Sequence, residues 1–154
     1  MPPTARTIKR DTARAMSQEN VERIERLFKL YNRREIDAWV GMMAPDLEWH
    51  VDPEDPDTTV HRGPEAAKRY ALSWAELMDA TIVVREIFEA SDDQVVAWTR
   101  IEWRGGVSGA QAAQDLAWVF KLRDGLVVRV QETQDKREAL EAVGLSEQDA
   151  HADS

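Results

Sequence analysis

Apolar residues in the first half of the chain recur at intervals of three and four, and in the second half they alternate with polar ones. From Ser17, a residue type suited to capping a helix, Val21, Ile24, Phe28 and Tyr31 share one face at the helical period. The spacing predicts a first helix beginning at Ser17. A second, shorter helix holds Ile36, Trp39, Val40 and Met43. Pro45 ends it, because proline lacks an amide hydrogen and restricts the residue before it. LEWHV, residues 47–51, reads as a first strand, and VDPEDPDTTVHRG, residues 51–63, as an acidic loop punctuated by proline. Gly63-Pro64 opens a third helix with proline at its first position, and Ala67, Tyr70, Ala71, Trp74 and Met78 mark its inward stripe.

Four strand-like runs follow, near TIVVREIFEA, QVVAWTRIEWR, DLAWVFKLR and LVVRVQETQ. Arg123-Asp124-Gly125 between the last two is a hairpin turn, since Asp-Gly tolerates the positive φ angles of tight turns, so the pairing is antiparallel. A closing helix, KREALEAVGL, ends at Gly144 as its C-cap. Helices first and a curled antiparallel sheet afterwards is an α+β order. The expected domain is 17–145, preceded by an extension over 1–16 and followed by a polar tail over 146–154.

Composition narrows the function. The 154-residue chain fits one domain with a sizeable core. It has no cysteine, which excludes disulfides, thiolate metal sites and cysteine nucleophiles, and which fits the reducing cytoplasm where we expect the protein. The net charge of -9 argues against nucleic-acid binding, because phosphate affinity comes mainly from Lys and Arg. Residues 1–16 carry four Arg or Lys and one Asp, a charge of +3, which leaves -12 for the rest. No apolar stretch approaches the roughly 20 residues of a membrane span.

The run Trp98-Thr99-Arg100-Ile101-Glu102-Trp103 poses the question of chemistry. In a strand, Trp98, Arg100 and Glu102 share one face and Ala97, Thr99, Ile101 and Trp103 the other. Periodicity alone favours a solvated charged face over one that lines a cavity. In the last strand the same parity groups Val128, Val130, Glu132 and Gln134.

The stretches SQENVERIERLFKLYNRREIDAWVGMMAPDLEWH, HRGPEAAKRY, KLRDGLVVRVQE and KREALEAVGL resemble the SnoaL-like proteins of the nuclear-transport-factor-2-like superfamily. The resemblance spans all but the two tails and implies a cone: a curved antiparallel or mixed sheet wrapped around N-terminal helices, the cystatin-like α+β barrel. It also implies a pocket on the concave side and pairing of two cones through their sheets. On that geometry Trp98, Arg100 and Glu102 look inward, and Ala97, Ile101 and Trp103 form the apolar convex patch of a homodimer.

Relatives in the superfamily include polyketide cyclases, ketosteroid isomerase, limonene epoxide hydrolase and pocket proteins without known activity. The chain is similar to limonene epoxide hydrolase at Arg100 and Glu102, an arginine and an acid two apart, and at Glu132, the second acid on the last strand. Two carboxyls and one guanidinium favour a shared proton, with one carboxyl as acid and the other as base. The chain departs from the hydrolase at Trp49 and Val51, which stand where the hydrolase holds its water with tyrosine and asparagine. Val51-Asp52-Pro53 resembles the base segment of ketosteroid isomerase, although the tyrosine donor of that enzyme falls near Leu27.

The expected site therefore has Arg100, Glu102 and Glu132 as catalytic residues, in a pocket lined by Trp39, Trp49, Asp52, Tyr70, Trp74, Trp98, Leu116, Trp118 and Gln134. Six tryptophans give it flat walls, and five of them, all but Trp103, fall on the concave side. The walls suit a cyclic apolar ligand, and an inward Arg100 opposes a cation. His50 and His61 flank the acidic loop without ligand spacing, so no metal is expected, and no cofactor. The expectation is a cofactor-independent acid/base enzyme, an isomerase, cyclase, dehydratase or hydrolase. A non-catalytic binding or dimeric accessory protein of the same fold is the alternative.

Overall fold

The computed structural model describes residues 5–52, 59–104 and 111–145, with side chains from residue 18 onward except that of Gln111. The core of the acidic loop, Pro53 to Thr58, and His151 in the tail lie outside the described residues. The elements are α1 (Ala5–Asn32), α2 (Ile36–Val40), β1 (Met43–His50), β2 (Val60–Arg62), α3 (Gly63–Leu72), a π-helical turn (Ser73–Leu77), β3 (Thr81–Glu89), β4 (Gln94–Arg104), β5 (Gln111–Arg123), β6 (Leu126–Thr133) and α4 (Lys136–Ala142). Helices followed by a curved, unclosed six-stranded mixed sheet make the expected α+β cone.

The first helix starts upstream of Ser17, which is an interior helical position rather than a cap. Its sequence contains no proline or glycine and is rich in Ala, Arg, Lys and Glu, so nothing stops the helix before Ala5. At its other end Arg34 takes a left-handed φ of 60° and breaks it. There Asn32 acts as a strand partner for β3: its amide donates to the carbonyl of Ile82 at 2.8 Å and accepts from the Ile82 N–H at 2.9 Å. The Tyr31 hydroxyl donates to the Ala80 carbonyl at 2.9 Å. These bonds fix the end of α1 against the start of β3.

The strand order is β2-β1-β6-β5-β4-β3, antiparallel except that β1 runs parallel to β6. Val60–Arg62, read from sequence as loop, is the edge strand β2, and three residues are too few to show alternation. Met43 opens β1 rather than closing α2. The β5–β6 hairpin turns at Asp124 and Gly125, whose φ angles of 53° and 79° fit the turn expected. Asp135 caps α4 by accepting from the amides of Arg137 and Glu138, and Gly144, at φ 79°, ends it.

The apolar stripe of α1 decides which face of the sheet is the inside. Ile24, Leu27, Phe28 and Tyr31 are buried against Val95, Ala97, Ile101, Leu116, Trp118 and Phe120. Phe28 meets Trp118 and Phe120 edge to face at 5.5 and 5.8 Å. Ala97, Thr99, Ile101 and Trp103 thus point inward, and Trp98, Arg100 and Glu102 outward, the reverse of the sequence-based expectation. The apolar stripe of α1 is matched by the apolar row, because a charged row beneath it would be desolvated without partners. The apolar convex patch expected of a homodimer is consequently not on the convex face. That face is partly covered by α4, which packs Ala139 and Leu140 on Val96 and Ala117, with Trp98 and Phe88 at the margin.

Thr99 carries the one hydroxyl in the inward row of β4. It accepts from Trp118 Nε1 at 2.8 Å and donates to the Leu116 carbonyl at 2.9 Å, and it is fully buried. Thr99→Val should leave the indole N–H buried without an acceptor and cost about 1–3 kcal/mol in chemical denaturation. Arg100→Leu, on the wet side of the same strand, should change stability by less than about 0.5 kcal/mol at any pH. A strongly pH-dependent loss in that variant would restore the inward arrangement.

Candidate functional site

Glu132 lies in the inward row of β6 because its register partner on β5 is Trp118. The register slips between Lys121 and Leu122, so Val127 rather than Val128 joins Val130 and Glu132 on the inside. The slip is invisible to simple parity. Glu132 is 2 % exposed. One of its oxygens accepts from Trp49 Nε1 at 2.6 Å, and the Tyr70 hydroxyl lies 2.8 and 3.0 Å from its two oxygens. The Asp52 backbone N–H donates to it as well.

The parallel pairing of β1 with β6 sets Trp49 opposite Val130, within reach of Glu132. Tyr70 reaches in from α3, where Ala67 and Ala71 are buried beside it. Burial pushes the Glu132 carboxyl up to about 7; the Trp49 and Tyr70 donors and the Asp52 amide pull it down, and the Asp52 carboxylate raises it further. Asp52, just past β1, is itself buried. Among the described residues no lysine or arginine is a partner of Glu132. A carboxyl poised near neutrality can give or take a proton at physiological pH.

Beside this group the aromatic rings enclose a cavity of about 20 Å³, lined by Leu27, Phe28, Tyr31, Trp39, Trp49, Tyr70, Ala71, Trp74, Ile82 and Trp118. That volume holds about one water molecule. Trp49 contacts Trp39, Tyr70 and Trp118 at centroid distances of 5.5, 6.0 and 5.8 Å, and Trp74 closes the ring against Tyr70 and Trp118 at 5.5 and 5.9 Å. Half-buried Trp74 is carried by the π-helical turn, a helical irregularity common at functional sites. His61 stacks on Tyr70 at 4.4 Å, and burial, with Arg69 nearby, lowers its pKa.

Of the expected site residues, Glu132, Trp39, Trp49, Asp52, Tyr70, Trp74 and Trp118 come together in the interior. Leu116 is buried in the core beneath them without lining the cavity. Arg100 and Glu102 are not with Glu132: they pair with each other at 3.7 Å on the outer face, with side chains 45 and 54 % exposed. They border an open hollow with Asp79, Thr81, Trp103 and Arg104. Trp98 is on the outer face too, where Lys136 lies 6.0 Å above its ring. Gln134 is past the end of β6 and exposed, since the strand stops at Thr133.

Five tryptophans do face inward, with Trp103 in place of Trp98. The lining from α1 and Ile82 was missed as lining, although the Leu27, Phe28 and Tyr31 stripe was visible in the sequence. His50 is on the outer side of β1, 3.1 Å from Glu48. Among the described residues no three His, Asp or Glu side chains assemble into a metal-binding group, and no helix is long and apolar enough to cross a membrane.

Solved structures share this fold at low identity. Bal32a, from a soil-derived mobile gene cassette, is 19 % identical with a TM-score of 0.69, over 76 % of this chain and 89 % of its own. RV0760c from Mycobacterium tuberculosis, in complex with estradiol-17beta-hemisuccinate, is 14 % identical with a TM-score of 0.65, over 74 and 92 %. A ketosteroid-isomerase-like protein from Catenulispora acidiphila, in complex with trimethylamine, is 12 % identical with a TM-score of 0.65, over 80 and 93 %. No protein of curated function matches the sequence. Residues 24–130 match the SnoaL-like domain, and the chain belongs to that family.

Proposed function

We propose that this protein is a cofactor-independent acid/base enzyme acting on a small organic molecule with an apolar body, as an isomerase, cyclase, dehydratase or hydrolase. The observation that carries the reading is Glu132: a buried carboxyl held by Trp49 and Tyr70, two residues that line the aromatic cavity, with a pKa of about 7 and, among the described residues, no ion pair to explain its burial. Trp49 and Tyr70 hold its oxygens in place, and Asp52 is the second acid. Arg100 and Glu102, on the far face, have no part in this proton transfer. The ligand-bound neighbours of the same fold, one with estradiol-17beta-hemisuccinate and one with trimethylamine, support a small-molecule site. Admission of such a molecule requires the rings to part, and Trp74, on its π-helical turn, is the wall best placed to move.

The small cavity favours a second reading, a non-catalytic protein whose interior is filled by its own aromatic rings. Glu132→Gln separates the two. It keeps the size and an acceptor oxygen but removes the transferable proton, so turnover should fall by about 10² to 10⁴-fold with ligand affinity little changed. Substrates are to be sought among cyclic enones, epoxides and polyketide-like ketones. Wild-type protein that binds ring compounds but turns over none of them supports the second reading.

Stability gives an independent check. The folded-state pKa of Glu132 lies above the 4.5 of a free glutamate, so its contribution is fully present below pH 4.5 and is lost as the pH rises through 7. The difference in unfolding free energy between wild type and Glu132→Gln should move by on the order of 3 kcal/mol across that window. A difference independent of pH would show that the group is not a buried, titrating acid.

A homodimer through the outer sheet face belongs to the same reading. Its support is the mixed-sign surface of that face, where Arg85 faces Asp115 at 3.8 Å and Arg100 faces Glu102, around a 41 % exposed Val83. Such a surface is self-complementary under a twofold axis. Sedimentation at micromolar concentration should give a dimer that weakens with salt, and a monomer under all conditions would exclude it.

A further inference from the structure

The outer face of the sheet sets two cations side by side. Lys121 on β5 and Arg129 on β6 are register partners, and both are exposed. Residues directly opposite in an antiparallel pair stand about 5 Å apart, and like charges there repel. A bulge creates the pairing. Counted back from the turn, Leu122 pairs with Val127, so an unbroken ladder would set Lys121 against Val128 and Arg129 against the inward Phe120. The slip leaves Val128 unpaired and brings Arg129 beside Lys121, the kind of re-aiming that bulges perform.

Other cations of this face are matched by acids. Arg62 pairs with Glu48, Arg85 with Asp115, Arg100 with Glu102, and Lys136 with Glu86. Glu48 is also the register partner of Arg129, but its Oε1 is engaged by Arg62 at 3.4 Å and His50 at 3.1 Å. Arg123, two residues beyond Lys121, is bound to Asp46. Among the described residues neither Lys121 nor Arg129 has a carboxylate within 4 Å. Two adjacent cations are thus left without counter-charge on a chain whose net charge is -9.

The chain itself carries a matching segment close by. Leu145 packs against the apolar cluster that α4 forms with Val96 and Ala117, a cluster that Val119 also borders. Val119 precedes Lys121 by two residues on the same face of β5, a step of about 7 Å. Beyond Leu145 comes SEQDAHADS, residues 146–154, with Glu147, Asp149 and Asp153 and no Lys or Arg, a charge of -3 with His neutral. At about 3.3 Å per residue, Glu147 and Asp149 reach roughly 7 and 13 Å from Leu145. So short a tether gives the acids an effective concentration in the millimolar range.

We propose that residues 146–154 dock on the outer sheet face, with Glu147 and Asp149 against Lys121 and Arg129, and so strap the end of α4 to the sheet. The inference goes beyond the acid/base reading and does not depend on it. Nor does it compete with pairing of two copies near Arg100: Asp115, the register partner of Arg100, is six residues from Lys121 along β5, about 20 Å.

The chain has no cysteine, so Ala150→Cys gives a single site for a nitroxide label on the full chain. In about 20 mM salt the label should broaden the amide resonances of Val119, Lys121, Arg129 and Gln131 and spare those of Arg100 and Glu102, and about 0.5 M salt should restore them. Lys121→Glu together with Arg129→Glu should abolish the broadening. Adding Glu147→Lys and Asp149→Lys to that variant should bring it back. Should the sheet variant fail to fold, the two tail substitutions alone should abolish the effect.

No broadening at low salt overturns the proposal, as does broadening that survives charge reversal. Broadening seen only in a mixture of labelled chains with isotope-enriched unlabelled chains assigns the surface to a second copy, and the strap falls. If the tail stays away while poly-glutamate shifts the Lys121 and Arg129 resonances, the pair serves a foreign acidic partner, and the strap falls again.

Discussion

A carboxyl group removed from water must lose its charge or find donors, and Glu132 is held between these two solutions. Its donors come from three places in the chain: the indole of Trp49 on β1, the phenol of Tyr70 on α3, and the amide of Asp52 just beyond β1. The parallel β1–β6 contact, the position of α3 over β1 and the hairpin register of β6 against β5 all converge on this one side chain. Three donors are too few to restore what burial among aromatic rings removes, so the pKa remains raised. An apolar residue at this position would spare the fold that cost. Its presence is therefore better explained by the proposed proton transfer than by stability.

The second organising constraint is the apolar stripe of α1. It covers the inner sheet face and selects which row of β4 turns inward. Alternation within the strand favoured a wet charged face, and the structure follows it. The family analogy reversed that reading by treating the concave side as a hollow able to accept charge. The hollow is largely filled: Leu27, Phe28 and Tyr31 from α1 meet Trp39, Trp49, Tyr70, Trp74 and Trp118, and about 20 Å³ remains. With so little water, Arg100 and Glu102 would have to find all their partners among one another and Glu132. On the outer face they keep their hydration, and their ion pair contributes little.

A filled aromatic interior has consequences for dynamics. Rings in edge-to-face contact can part without losing hydrogen bonds, except for Trp49, Tyr70 and Trp118, whose N–H and O–H groups are committed to Glu132 and Thr99. Trp74 is half-buried, as is Tyr70, but it sits on an irregular turn and makes no hydrogen bond to the carboxyl, which is why it is the ring proposed to move. Rigid donors around the carboxyl and a movable wall opposite suit a site that must admit a ligand without disturbing the acid.

The sequence by itself determined the α+β order, the Asp-Gly hairpin, the cap at Gly144 and the inward stripe of α3. Each of these rests on local rules: helical period, strand alternation and positive φ. Tertiary structure decided what such rules cannot reach. Continuation of α1 upstream of Ser17 depended on the absence of a stop signal, and the short strand β2 exists only because β1 offers it an edge. Val127 took the inward place of Val128 because a bulge shifted the register. Trp98, Arg100 and Glu102 lie outside because α1 lies on the other face. Alternation gives each strand two faces, and only the neighbour that packs on one of them makes it the inside.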